Sequence, residues 1–122
     1  MMKCPPFISP GSVIRIVSPA GKVEETHLQP LAQWLKAGGY NVERGKYVSG
    51  SHFQYSGTDG ERLSDLQDAL DDPAVNVIWC SRGGYGTIRI IDRLDFTGFC
   101  KHPKWVVGFS DITVLHNRLH EL

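Results

Sequence analysis

An open α/β fold is what the sequence predicts: a parallel sheet with helices on both faces, flavodoxin-like or Rossmann-like in outline. Three observations carry that expectation. Short β-branched or apolar runs alternate with segments whose apolar residues recur at helical spacing. The run over 75–80 is apolar except for Asn76, the pattern of a strand buried on both faces. The main strand-like runs pass into turns holding Gly, Ser or Pro before the next helical stretch, as right-handed crossovers between parallel strands require.

The first strand is placed over 13–17, opened by Pro10-Gly11 and closed by Ser18-Pro19-Ala20-Gly21. A helix over about 24–36 follows from Leu28, Leu31 and Leu35, with Glu24 and Glu25 at its positive end and Gly38-Gly39 as a stop; Pro30 within it either kinks the helix or delays its start. A brief strand is expected over 40–42. Residues 45–57 are polar, aromatic and aperiodic and read as a surface loop. Thr58 with Glu61 three residues on forms a capping box for a helix presenting Leu63, Leu66, Ala69 and Leu70, which Asp71-Asp72-Pro73 ends. After the strand at 75–80, a third helix is expected over 87–94 with Ile88, Ile91 and Leu94 buried. A strand over 105–109 and a last helix carrying Ile112, Leu115 and Leu119 on one face complete the pattern.

The 122 residues fit one domain, and no repeat or linker-like stretch divides them. Thirteen basic against thirteen acidic side chains give no bulk field for nucleic acid or an acidic membrane, and no Lys/Arg cluster supplies a local one. No apolar run approaches the ~20 residues of a membrane span, and a signal pattern is absent, so a soluble, cytoplasmic protein is expected. Cys4, Cys80 and Cys100 form no Cys-x-x-Cys pair, which argues against a disulfide framework or a zinc knuckle, and Cys80 reads as a small buried hydrophobe. Trp34 and Trp79 are expected in the core; Phe53, Tyr55 and Tyr85 are the aromatic candidates for lining a groove.

Ligands of open α/β sheets bind at the carboxyl ends of the strands, which singles out the turns at 18–21, 81–86 and 108–111. Gly108-Phe109-Ser110-Asp111 sets a Ser between strand and helix, as a nucleophile elbow does, but Ile112 stands where that motif has its second Gly. On local pattern the plainer reading of Ser110 is a helix N-cap. Gly83-Gly84-Tyr85-Gly86 can cradle an oxyanion or a phosphate on backbone N–H groups, or simply turn tightly; its spacing is not Gly-x-Gly-x-x-Gly. Arg82 is a candidate for gripping a carboxylate, with a surface or inter-domain ion pair as the plainer alternative.

In combination these segments carry a resemblance. Gly11-x-x-Ile14 with Val17-Ser18-Pro19, Gly57-Thr58-Asp59-x-x-Arg62-x-x-Asp65-Leu66, Arg82-Gly83-Gly84-Tyr85-Gly86, Lys104, and Gly108-Phe109-Ser110-Asp111-Ile112-Thr113-x-Leu115 follow in order along nearly the whole chain. In this the chain resembles the N-terminal half of the LD-carboxypeptidase family of serine peptidases, which also includes relatives conferring immunity to a peptide-nucleotide antibiotic. The resemblance implies Ser110 as nucleophile and the backbone N–H of Asp111 as one oxyanion donor. It implies the N–H of Gly84 as the other, with Gly83 as its alternative. It further implies hydrolysis of the bond to a terminal D-amino acid, typically D-alanine of the murein tetrapeptide, in cytoplasmic peptidoglycan recycling, with no metal or organic cofactor. Arg82 and, more weakly, Tyr85 are the substrate-binding candidates.

The family's general base, a His oriented by a Glu, belongs to a C-terminal half that residues 1–122 do not include. His116 lies six residues beyond Ser110 on the same expected helix, about 9 Å along the axis, and His120 about 15 Å, whereas a base must sit within ~3 Å of the hydroxyl. His116 and His120 are expected to face solvent, with His27, His52 and His102 also at the surface. The chain alone is therefore expected to be inactive, and to expose an apolar surface where the missing domain would dock, favouring self-association, for example as a homodimer. The alternative reading is a non-catalytic flavodoxin-like module binding a phosphorylated ligand between Gly83 and Gly86.

Overall fold

Alternating strands and helices build one parallel sheet in the computed structural model, which describes residues 5, 8–21, 23, 25–48, 57–81, 86–108, 115, 116 and 119, and of Ile88 the backbone only. In chain order the elements are β1 (Val13–Val17), α1 (Glu25–Ala37), β2 (Asn41–Arg44), α2 (Asp59–Asp71) and β3 (Val77–Cys80). Two single 3-10 turns (Thr87–Arg89 and Ile91–Arg93), α3 (Thr97–Lys101) and β4 (Trp105–Val107) follow. The described strands lie in the order β2-β1-β3-β4, all parallel, so the chain steps one way from β1 to β2 and the other way from β1 to β3 and β4.

Strand period two divides the core into two layers. Ile14, Ile16 and Val77 meet Leu28, Ala32 and Leu35 of α1 on one face. Val17, Ile78 and Cys80 meet Leu66, Ala69 and Leu70 of α2, Ile90, Phe96 and Leu115 on the other. α2 carries the signals its ends require. Thr58 accepts from Glu61 N–H while the Glu61 carboxylate accepts from Thr58 N–H, starting α2. At the opposite end the Lys104 ammonium donates to the carbonyls of Ala69 and Asp72 at 2.9 and 2.7 Å, satisfying groups that the last turn leaves without helical partners. Burial holds the Lys104 pKa below its ordinary value.

Several sequence-based expectations are corrected. The region 87–93 is not an α-helix but two 3-10 turns: Ile88, Ile91 and Leu94 recur every three residues, which is the 3-10 period, and Ile90 joins Ile91 in the core. α3 was not anticipated. The second strand is Asn41–Arg44 rather than 40–42. Pro30 lies inside α1, which starts at Glu25. Val48, within the expected surface loop, is 4% exposed and packs in the α1 layer. Trp34 is 67% exposed rather than in the core; it meets part-buried Trp79 edge to face at 6.3 Å, beside exposed Trp105 and Val107. His116 is part-buried, with its Nε2 3.2 Å from the Val106 carbonyl, rather than facing solvent; His27 and His102 are exposed as expected. Cys80 is buried as expected, and burial pushes its thiol up to about 12. No helix of the described residues is long and apolar enough to cross a membrane.

Candidate active site

The sheet register ends the three strands that precede the singled-out turns side by side. Val17 is level with Cys80, and Trp79 with Val107, so β1, β3 and β4 end side by side at spacings of about 4.8 Å. The direction of the chain reverses between β1 and β3, the place where open α/β sheets form a crevice. Ser110, Asp111, Arg82, Gly83, Gly84 and Tyr85 lie outside the described residues, as do Phe53, Tyr55, His52 and His120. What is described is the frame from which their turns depart.

That frame is tightly bonded. Ser81, the last residue before the Gly-rich turn, donates its N–H to the Val17 carbonyl at 2.9 Å. Its hydroxyl lies 2.5 Å from that of Ser18, whose own proton goes to the Val48 carbonyl at 2.6 Å, so Ser81 is the donor between the two. Gly86, the first residue described after the turn, has φ 142°, a conformation that favours Gly, and opens the first 3-10 turn.

Arg62 and Asp65 appear in the linked motifs, but sequence reasoning assigns them no role. Both sit on the buried face of α2 with Leu66 and Ala69, at spacings of three and four, where polar side chains interrupt an apolar stripe; that interruption is the signal that marks them. Arg62, 1% exposed, donates from Nε to the Pro19 carbonyl at 3.0 Å and from Nη1 to Gly57 at 2.8 Å. Its Nη2 reaches the Asp59 carboxylate at 2.5 Å and the Gly86 carbonyl at 3.3 Å. Asp59 is also gripped by Arg89, whose hydrogen bonds, followed by those of Arg62, hold its carboxyl below the usual range. Asp65 accepts the Tyr47 N–H at 2.7 Å beneath the turn that carries Val48, and burial raises its pKa. Among the described residues no three His, Cys, Asp or Glu side chains gather as a metal site would require.

A family model described as LD-carboxypeptidase N-terminal domain matches residues 14–122. The chain belongs to the LD-carboxypeptidase family. It is 35% identical over 117 residues to the probable murein peptide carboxypeptidase of Bacillus subtilis, a match covering 96% of this chain and 37% of that protein. It is 32% identical to the murein tetrapeptide carboxypeptidase of Pseudomonas aeruginosa, covering 88% of this chain and 35% of that one. The crystal structure of muramoyltetrapeptide carboxypeptidase from Oxalobacter formigenes superposes with a TM-score of 0.79 at 36% identity, over 88% of this chain and 36% of that one. The chain thus spans little more than a third of these LD-carboxypeptidase relatives. The open α/β fold expected from the sequence is the fold observed.

Proposed function

We propose that residues 1–122 form the nucleophile-bearing N-terminal domain of a serine LD-carboxypeptidase that releases a terminal D-amino acid, D-alanine above all, from murein tetrapeptides in the cytoplasm. The observation that carries the reading is the adjacency of β3 and β4. Their parallel register ends both strands together at one end of the sheet, which supports a reading in which the segments that follow them bring a hydroxyl and two backbone N–H groups together.

In this reading Ser110 Oγ attacks the carbonyl before the terminal D-residue, and its proton passes to a base. The resulting oxyanion rests on the N–H of Asp111 and that of Gly84, or of Gly83 as the alternative donor. Collapse returns the proton to the leaving amine, and water then hydrolyses the acyl-serine by the same base. The chemistry calls on no metal or cofactor. Arg82 takes the carboxylate of the D-residue as a bidentate partner and Tyr85 lines the groove. The base comes from outside this chain, a His held by a Glu in a C-terminal domain: His116 is bonded to the Val106 carbonyl, and on the helix expected from the sequence it lies about 9 Å along the axis from Ser110.

The test is hydrolysis of a murein tetrapeptide ending in D-alanine by the intact gene product, followed as free D-alanine. Ser110→Ala should lower kcat by at least about 10³-fold, the scale of nucleophile removal in serine hydrolases. An alanine variant that keeps its rate overturns the assignment. Binding of a phosphorylated ligand, with no hydrolysis at all, would instead support a non-catalytic module.

A further inference from the structure

Both described ends of the Gly-rich turn are fixed, and one side chain fixes the far end. Ser81 is pinned to β1 through its N–H and hydroxyl, and at the exit the Gly86 carbonyl is held by the buried guanidinium of Arg62. The same guanidinium holds the Pro19 carbonyl in the turn after β1 and the Gly57 carbonyl in the approach to α2. Burying an arginine is costly unless its donors are used. An apolar residue would fill the same volume; what it cannot supply is a rigid fork that joins three backbone segments at once. The fork is itself aimed by Asp59, one turn back on the capped start of α2, and Asp59 is braced by Arg89 from the first 3-10 turn.

We propose that Arg62 is a positioning residue for the oxyanion-binding turn: by holding the carbonyls of Pro19, Gly57 and Gly86 it fixes the point at which the chain leaves that turn, on which the work of Gly84 or Gly83 as a donor depends. This rests on the reading of Ser110 and Gly84 given above. Arg62 touches neither substrate nor reacting atoms. Its effect is felt where charge develops, so its loss should lower kcat and leave substrate binding nearly unchanged.

The experiment uses the intact protein with Arg62→Lys, which keeps the charge but not the fork, and Asp59→Asn, which leaves Arg62 in place but loosens its aim. Displacing a catalytic donor by about an ångström costs on the order of 10²-fold, so Arg62→Lys should lower kcat by roughly 10- to 100-fold with KM within about twofold. Asp59→Asn should lower it by roughly threefold or more in the same manner. Affinity for a peptidyl boronic acid, which mimics the tetrahedral adduct, should fall in step with kcat, a change that loss of folded protein alone does not produce once rates are expressed per folded molecule by circular dichroism. If Arg62→Lys does not fold, Asp59→Asn decides. An unchanged kcat in the folded variants, or a rise in KM with kcat intact, overturns the proposal. Ser110→Ala measured alongside separates the two ideas: if it stays active the reading of the site fails, and if it is inactive while the other variants keep their rate, only the role of Arg62 fails.

Discussion

Gly45 looks like an ordinary loop glycine, yet replacing it with alanine should disturb the site's support. An alanine Cβ there would stand 2.6 Å from Asp65 Oδ2 and 2.9 Å from its Cγ, inside contact distance of a short, buried carboxylate. Asp65 cannot retreat without releasing the Tyr47 N–H, and with it the turn whose Val48 carbonyl receives Ser18. Overpacking costs about 1–3 kcal/mol and a weakened hydrogen bond to a carboxylate about 1.5–3, against about 0.4–1 regained from the unfolded chain. Gly45→Ala should therefore destabilise by about 2–4 kcal/mol. Asp65→Ala should cost only about 1–2 kcal/mol, since it forfeits the bond to Tyr47 but also removes a carboxyl that burial disfavours. In the double variant the clash is gone. Urea denaturation should place it close to Asp65→Ala alone, a coupling of about 2–4 kcal/mol. Additivity of the two single changes within about 0.5 kcal/mol would refute the close approach.

Lys104→Met should cost about 1–3 kcal/mol, because the Ala69 carbonyl loses the ammonium and the Asp72 carbonyl keeps only the Val75 N–H. The Lys104 pKa is lowered by burial, so its contribution is present above the ordinary 10.5 and lost as pH falls through the folded value; the wild-type protein should gain on the Met variant as pH rises toward 10.5. Asp72, held down by the Ala74 N–H and then by Arg15, and Asp59, held down by Arg89 and then by Arg62, contribute stability that is present above 3.8 and lost as pH falls through their folded values. Urea midpoints should accordingly drop below pH 3.8, and less steeply in Asp59→Asn and Asp72→Asn. The 122-residue chain by itself should self-associate through the apolar face at Trp34, Trp105 and Val107. Sedimentation should show a concentration-dependent mass that Trp34→Ser with Trp105→Ser lowers, and a concentration-independent monomer would contradict this.

What the residues betray depends on how local the cause is. β1, α1, β3 and the capped start of α2 are written in adjacent residues, as are the positions of the strand ends, and these alone locate the crevice. Three apolar residues at spacing three satisfy both periods over so short a stretch, so the pattern does not separate 3-10 turns from an α-helix. Trp34 reads as core from the sequence because an amphipathic pattern tells which face of α1 turns inward, not how far the sheet beneath it extends. Arg62 lies 43 residues from Pro19 and Asp65 18 from Tyr47, so the bonds that explain two polar groups on an apolar helix face become visible only once the chain is folded. The roles of Ser110, Asp111 and the Gly-rich turn come from the pattern of linked motifs, which no single motif carries.

The most direct measurement is covalent. The intact gene product is treated with a fluorophosphonate, digested, and the adduct mapped by mass spectrometry. A single adduct on Ser110, suppressed by excess tetrapeptide, is the expected result. An adduct on another residue, or none in a preparation that hydrolyses the peptide, would contradict the assignment of the nucleophile.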